Sequence, residues 1–500
     1  MARPRSLGWI GACAAFLGAA HAVPASASPA APATLVVPEA GGAPWTDGDL
    51  ASLRADLDRR FATAAALRGA HAGFLALETA TGAVLYARAA DDDFAGASTT
   101  KLVVGSAALD LLGPEYRFRT QLGAHEGTLV LEGGGDPLLS SADLDAAAAS
   151  VAAAGLGSVR ALGVDDGRFE SAPYPAGWTW DDFAYDYAAP VSALTVDENV
   201  VHVGFGATGA RVGVTSEATL AHDSLLGCAT AASLPLGGDV PAGAAGSEDT
   251  LDAVTVAPDC AALTGSLPPG GTAALDIAVR NPGGAAADRL LLALQAHGVA
   301  PPADPPAITH RGALPAEMSV LWSHDSPALR TWLGPRFWIP SDNLFAELLL
   351  RELGYAGGAR PGTTAAGIAA ERAWLASIGV DPATFTLADG CGMSQYDRVT
   401  PRGLATILQH DWVGPNRQLV LDSLPVGGAR GSIEGIAGTP AAGRTFAKTG
   451  SMMHVRGLAG YVATQRHGAV TFAFTVDDWL GDYPALAAFR AQLLSRIVAD

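Results

Sequence analysis

The sequence predicts an α+β fold: an antiparallel sheet with helices on both faces, built from strands of both chain ends and split by a long insertion. Three observations predict it. Residues 73–78 (GFLALE) and 83–88 (AVLYAR) read as two strands joined by a turn at 79–82. Near the other end, TFAKTGS, VRGLAGYVAT and GAVTFAFTV read as three strands with short connections, an antiparallel meander. Between them, residues 195–290 are rich in Val, Thr, Gly and Ala with frequent turn residues, the pattern of a separate small β unit. Helices laid on an antiparallel sheet are the stable layering for such a pattern.

The elements follow in chain order. Arg3 and Arg5, an apolar run from Leu7 to Ala20, and a small-residue site at 20–22 or 25–27 predict a signal peptide over residues 1–27 and export from the cytoplasm. The alternative is a lipoprotein site at Ile10-Gly11-Ala12-Cys13, which leaves an apolar run of only six residues. A Pro/Ala-rich leader covers 28–44, and residues 48–68 read as a helix. Ser98 opens a strongly apolar segment containing Leu102, Val103, Val104, Ala107, Ala108, Leu109 and Leu112, stopped by Gly113-Pro114: a buried helix starting near Ser98. Residues 117–190 mix strand and helix patterns, and helical patterning returns from Pro282. Leu486, Phe489, Leu493 and Ile497 line one face of a final helix. The expected division is 45–116 with 305–500 as one domain, 117–194 with 291–304 as an inserted domain, and 195–290 nested within it. No repeat of fixed period occurs.

Composition narrows the function. Of 500 residues 49% are apolar and 16% charged, so the chain is globular. A net charge of −19 argues against nucleic acid as a partner. No run of about 18 apolar residues follows the leader, so no transmembrane segment is expected. Of four cysteines, Cys228 and Cys260 share one Gly/Pro-rich region, where a disulfide would contribute about 3–4 kcal/mol; Cys391 is then a buried free thiol. No CxxC, HExxH or spaced His/Cys cluster points to a metal.

Only two lysines occur, Lys101 and Lys448, against 29 arginines. Arginine cannot give up a proton near neutral pH and lysine can. Lys101 stands three residues after Ser98, which at a helix start puts both side chains on one face. A serine hydroxyl needs a base to become a nucleophile, and a neutral lysine amine can be that base. A second cluster, Ser341-Asp342-Asn343, opens another helix; Ser341 could relay a proton, and Asn343 could orient Lys101 and hold a substrate amide. In the third, Lys448, Thr449, Gly450 and Ser451 lie on a strand, where the lysine and hydroxyls can bind a carboxylate and the Ser451 N–H can serve an oxyanion. Each cluster alone also reads as an ordinary helix cap or edge strand.

Together, S-x-x-K, S-D-N and K-T-G in this order resemble the motif set of penicillin-binding proteins and class A β-lactamases. The 243 residues from Ser98 to Ser341 are far more than class A enzymes have there, and the long insertion resembles the D-alanyl-D-alanine carboxypeptidase/endopeptidase family, the class C low-molecular-mass penicillin-binding proteins of peptidase family S13. YRFRTQL, LEGGGDPLL, PAGWTWDD, YAAPVSALTVDENVV, DGCGMSQYDRVTP and LPVGGARGSIEG are similar to that family's recurring blocks. The resemblance implies a β-lactamase/transpeptidase-like domain split by two nested domains. It implies Ser98 as acylated nucleophile, Lys101 as general base, Ser341 and Asn343 as proton-transfer and positioning groups, and Lys448, Thr449, Gly450 and Ser451 as substrate carboxylate site. The implied substrate is the D-Ala-D-Ala end of a peptidoglycan stem peptide or a cross-link ending in D-alanine. No cofactor is implied, and β-lactams would be covalent inhibitors.

One departure concerns specificity. Where the family reads D-G-S-G-L-S-R, residues 389–395 read D-G-C-G-M-S-Q. Gln395 cannot pair with an anionic side chain as arginine can, so Met393, Gln395 and Met452 are candidates for a specificity pocket; methionines also simply fill gaps. Asp136, Asp181 and Asp182 read as turn or solvated acids, and Trp178 and Trp180 as packing or a cleft wall. With no G-x-S-x-G and no histidine in catalytic spacing, a Ser-His-Asp hydrolase is rejected. Two other readings stay open at this stage: a β-lactamase using the same serine, and a catalytically silent peptidoglycan-binding protein.

Overall fold

The computed structural model describes residues 34–39, 41–208, 211–214, 240–257, 260–433 and 435–500. The expected signal peptide, Cys13 and the Cys228–Cys260 bridge lie outside the described residues or side chains.

Helix α1 (Asp47–Thr63) starts at Thr46, whose hydroxyl accepts the Asp49 N–H while the Asp49 carboxylate accepts the Thr46 N–H. Leu53, Leu57 and Phe61, spaced four apart, form its buried stripe. Strands β1 (His71–Glu78) and β2 (Val84–Arg88) follow. Ser98 lies in a 3-10 turn, Ala97–Thr100, that runs straight into α2 (Lys101–Leu111). The α-helix thus begins at Lys101, three residues later than expected. Every residue from Lys101 to Leu109 is buried, and each buried Leu or Val there is worth roughly 1.5–3 kcal/mol. Gly113, at φ 90°, donates its N–H to the Ala108 carbonyl and ends the helix.

The insertion holds β3 (Arg119–His125), β4 (Thr128–Glu132), α3 (Ser141–Ala153), β5 (Ala161–Asp165), β6 (Val200–Thr208), β7 (Arg211–Val214), β8 (Asp252–Ala257), β9 (Cys260–Thr264), β10 (Thr272–Ala278), α4 (Pro282–Ala296), β11 (Ala307–Thr309) and β12 (Ser319–Asp325). One sheet has the order β11-β5-β4-β3-β12; a second is β10-β6-β7; β8 and β9 pair with each other. Leu144 of α3 and Leu290 and Leu294 of α4 pack with Leu122, Leu129, Leu131 and Leu162 of the first sheet.

This pairing moves two expected boundaries. β11 and β12 lie beyond residue 304 yet belong to the inserted sheet, and α4 begins at residue 282, inside the stretch assigned to the nested domain, yet covers that same sheet. The reason is local: β12 (SVLWSHD) is a largely exposed edge strand, so its sequence carries no burial pattern naming its partner. Its partner is β3, with Arg119 opposite Asp325 and bonded to it at 2.6 Å.

The chain then forms α5 (Asn343–Ala356), α6 (Thr364–Ser377), α7 (Pro401–Val413), β13 (Thr445–Met452), β14 (Val455–Ala463), β15 (Ala469–Asp477) and a last long helix, α8 (Tyr483–Val498). The main sheet runs β13-β14-β15-β1-β2, antiparallel throughout, so the two chain ends meet where β15 pairs with β1. β14 and β15 are buried almost without interruption because both faces are covered. On one face Leu53, Leu57 and Phe61 of α1 meet Leu486, Phe489, Leu493 and Ile497 of α8. On the other, Leu102 and Val103 of α2, Phe345 and Leu349 of α5, and Leu404 and Leu408 of α7 meet Ala459 and Tyr461. The fold is the α+β layering the sequence predicts.

Candidate active site

Glycines let the Ser98 turn lie against the sheet. A Cβ on Gly450 of β13 would come within 2.9 Å of the Gly96 carbonyl oxygen and 3.2 Å of the Ser98 nitrogen. Gly105 in α2 likewise leaves room for the Trp338 indole, which a Cβ there would meet at 2.5 Å. That indole N–H donates to the Lys101 carbonyl at 3.0 Å.

Lys101 Nζ lies 2.8 Å from Ser98 Oγ, 2.6 Å from Asn343 Oδ1 and 2.9 Å from the Cys391 carbonyl oxygen. Burial holds its pKa below the ordinary lysine value, against the opposing pull of Cys391, Asp389, Asp342 and Glu347. The hydrogen-bond inventory fixes how a neutral amine would be oriented here. The Asn343 and Cys391 oxygens can only accept, so when the amine is neutral they take its two N–H groups. In that form the lone pair is left for the Ser98 hydroxyl.

Asn343 is held to that arrangement from its other side. Its Nδ2 donates to the Tyr187 carbonyl at 2.7 Å and lies 3.6 Å from Met393 Sδ, which leaves Oδ1 for Lys101. Asp342 caps α5, its Oδ1 accepting the Phe345 N–H at 3.0 Å. Ser341 sits just before, at φ 68°, a left-handed conformation costing an L-residue roughly 1–2 kcal/mol. Its hydroxyl accepts from Lys448 Nζ at 2.7 Å, and that amine also donates to the Thr449 carbonyl at 2.9 Å. Lys448 is fully buried, and burial, with the charge of Lys101 nearby, drives its pKa well below the lysine range. Among the described residues the hydrogen-bond partners of the two amines are neutral oxygens.

β13 is one edge strand of the main sheet. Ala447 donates its N–H outward to the Pro425 carbonyl and Thr445 accepts outward from Gly427. By the two-residue period of a strand, the Thr449 and Ser451 N–H groups point the same way. Thr449 Oγ1 lies 2.9 Å from Ser432 Oγ, a hydroxyl the sequence reading passed over. Its only signal was its place in the glycine-rich GGARGSIEG stretch.

The remaining expectations separate. Met393 is half-buried and touches the Asn343 amide. Gln395 is exposed and donates its N–H to the Gly177 carbonyl at 3.2 Å, joining its turn to the insertion. Met452 packs against Ala95, Ala97 and Val455. Trp178 is a buried anchor, its N–H donating to Asp389 at 2.8 Å, whereas Trp180 is exposed. Asp182 accepts the Tyr187 hydroxyl at 2.8 Å, and Asp136 is a buried turn acid accepting the Leu138 N–H at 2.9 Å. Cys391 is a free, buried thiol whose pKa burial raises, so its carbonyl, not its sulfur, serves the site. Sequence reasoning missed Tyr187, Glu347 and the Cys391 carbonyl. Among the described residues no helix is long and apolar enough to cross a membrane.

Comparison with known proteins agrees over nearly the whole chain. It is 35% identical over 502 aligned residues, 96% of this chain and 90% of its relative, to a D-alanyl-D-alanine carboxypeptidase of Actinomadura sp. (strain R39). It is 24% identical to the D-alanyl-D-alanine carboxypeptidase DacB of Haemophilus influenzae, covering 82% of this chain and 86% of that one. The crystal structure of penicillin binding protein 4 (dacB) from H. influenzae shares the fold, with a TM-score of 0.76 at 23% identity over 89% of this chain and 99% of that one. The D-Ala-D-Ala carboxypeptidase 3 (S13) family matches residues 53–496, and with that span and the Actinomadura likeness the chain belongs to this family of serine peptidases.

Proposed function

We propose that the protein is an exported serine DD-peptidase that cleaves the D-Ala-D-Ala end of peptidoglycan stem peptides, or cross-links ending in D-alanine, through an acyl-enzyme on Ser98. One observation carries this: a buried lysine amine 2.8 Å from a serine hydroxyl, with its other two partners able only to accept. In this reading Ser98 Oγ attacks the scissile carbonyl carbon and its proton passes to the Lys101 amine. The carbonyl oxygen becomes an oxyanion between the Ser98 and Ser451 N–H groups. The C–N bond breaks, and a proton delivered by Lys101, relayed through Ser341, leaves with the departing D-alanine or cross-link amine. Water then adds to the ester, Lys101 again takes a proton, and the shortened peptide leaves as a carboxylic acid with the Ser98 hydroxyl restored. Asn343 orients Lys101 and the substrate amide. Lys448, Thr449 and the backbone at Gly450 receive the terminal carboxylate.

A β-lactam presents the same carbonyl and carboxylate and leaves an ester on Ser98. Exposed Gln395, two residues after Met393, offers a neutral amide, which favours an uncharged or amidated stem-peptide side chain over an anionic one; Met452 packs against Ala95, Ala97 and Val455. Arg3, Arg5 and the apolar run behind them direct the chain out of the cytoplasm.

The test is intact-protein mass spectrometry after incubation with benzylpenicillin, with Ser98→Ala alongside. The expected result is one long-lived adduct on the wild type, mapped to Ser98, and none on the variant. An adduct that survives in Ser98→Ala would refute the assignment. Rapid turnover of nitrocefin with no adduct would instead identify a β-lactamase.

A further inference from the structure

Helix α5 brings a second polar side chain toward Lys101. Glu347 stands four residues after Asn343, on the same helix face, and is fully buried. Its Oε1 accepts the Gly390 N–H at 2.8 Å and the Cys391 N–H at 2.9 Å. The next peptide is the one whose carbonyl receives Lys101. Its N–H, on Gly392, points the opposite way and donates to Asp389 Oδ1 at 2.7 Å. Two carboxylates therefore fix three successive peptides, and the fixed carbonyl faces the amine. Gly392 is at φ 82°, and a Cβ on it would overlap the Ala97 carbonyl, so the clamped turn abuts the Ser98 turn directly.

We infer that Glu347 is a positioning residue of the proposed site: acting through the Cys391 carbonyl, it holds one of the two acceptors that leave the Lys101 lone pair facing Ser98. The inference rests on the proposed role of Lys101 as base and extends it to a residue that touches neither substrate nor nucleophile. Glu347, Asp389 and Cys391 also lie close enough together to suggest a cation site. Five N–H donors, however, already occupy Glu347 Oε1 and both Asp389 oxygens, those of Gly390 and Cys391 on the first and those of Gly392, Ser394 and Trp178 on the other two; of the four carboxylate oxygens Glu347 Oε2 has no hydrogen-bond partner among the described residues. That is the chemistry of a backbone clamp.

The clamp has an electrostatic consequence. Burial, reinforced by Asp389, raises the Glu347 pKa to about 8, while Arg351 on the same helix pulls it down. Lys101, Cys391, Glu371 and Asp397 are the other titratable groups charge-coupled to it. Whenever Glu347 carries charge it favours the ammonium form of Lys101.

The test measures the rate of Ser98 acylation by a fluorescent penicillin from pH 5 to 10 in the wild type, Glu347→Gln and Glu347→Ala, with melting temperatures recorded for each. A glutamine oxygen can still accept both N–H groups, but the side chain cannot ionise. Glu347→Ala should lose about tenfold or more of the plateau rate, because the Cys391 carbonyl is released. Glu347→Gln should recover most of that loss and move the acidic limb of the profile to lower pH. A wild-type plateau in Glu347→Ala overturns the inference. So do equal losses in both variants that track melting temperature with an unmoved limb. If the alanine variant does not fold, the glutamine variant decides: a displaced limb supports the role, and an unmoved one refutes it. A wild type that is not labelled on Ser98 defeats the underlying reading, and with it this one.

Discussion

Lys101 and Lys448 are both fully buried, yet their surroundings differ in kind. Around Lys101, three separate parts of the chain converge: its own turn through Ser98, helix α5 through Asn343, and the 389–392 turn through a carbonyl. Burial pushes the amine toward neutrality, and nearby acids push back. Around Lys448 there are one hydroxyl and one carbonyl, and the charge that bears on it is another cation, Lys101. Burial and the surrounding acids thus pull the Lys101 amine in opposite directions, which suits the proposed base that must take and return a proton. Among the described residues no acid is hydrogen-bonded to Lys448, and on the proposed reading the substrate's carboxylate supplies the counter-charge. On that reading one residue type does two jobs, separated by what the fold places around each.

Substitutions at the two lysines should separate these jobs. Lys101→Arg keeps a cation and removes the base, so Ser98 acylation by a fluorescent penicillin should fall by about 10²–10⁴-fold while the melting temperature stays close to that of the wild type. Normal acylation in that variant would mean the proton goes elsewhere. Lys448→Met keeps the volume and removes the amine. Its effect should fall on the half-saturating concentration of a carboxylate-bearing penicillin, raised about 10–100-fold, with a smaller change in the limiting rate. A purely rate-based defect would move Lys448 into the proton-transfer chain.

The smallest effect concerns a buried acid outside the site. Asp411 accepts the Ser106 hydroxyl at 2.7 Å, and burial raises its pKa from 3.8 to about 8. A pKa raised on folding gives stability that is full below the unfolded value and lost as pH rises through the folded one. Asp411→Asn removes that titration. Its melting temperature relative to the wild type should climb between pH 4 and pH 8 and level off above, and a flat difference would mean Asp411 is not protonated in the native state.

The two lysines also mark how far the sequence could be read. That the motifs Ser98 to Lys101, Ser341 to Asn343 and Lys448 to Ser451 lie together was legible because they are built from side chains of distinctive type at fixed short spacing. The main sheet was legible because its hairpin and meander are local in sequence. What stayed hidden depends on backbone groups and distant contacts. The Cys391 carbonyl meets Lys101 across 290 residues, and a carbonyl has no letter in a sequence. Glu347 reads as one more polar residue in an amphipathic helix, and only the turn packed against it reveals two N–H groups to accept. The partner of β12 was hidden for the opposite reason: an exposed edge strand has no burial pattern to read.

Because the chain contains only two lysines, one measurement reads the central claim directly. In protein labelled with ε-¹⁵N-lysine, each side-chain amine gives its own NMR titration, assigned with Lys448→Met. Both amines should titrate below the ordinary lysine value of 10.5, with Lys448 the lower of the two. A Lys101 that stays protonated up to 10.5 or beyond would contradict the account, because no free amine would then stand beside the Ser98 hydroxyl.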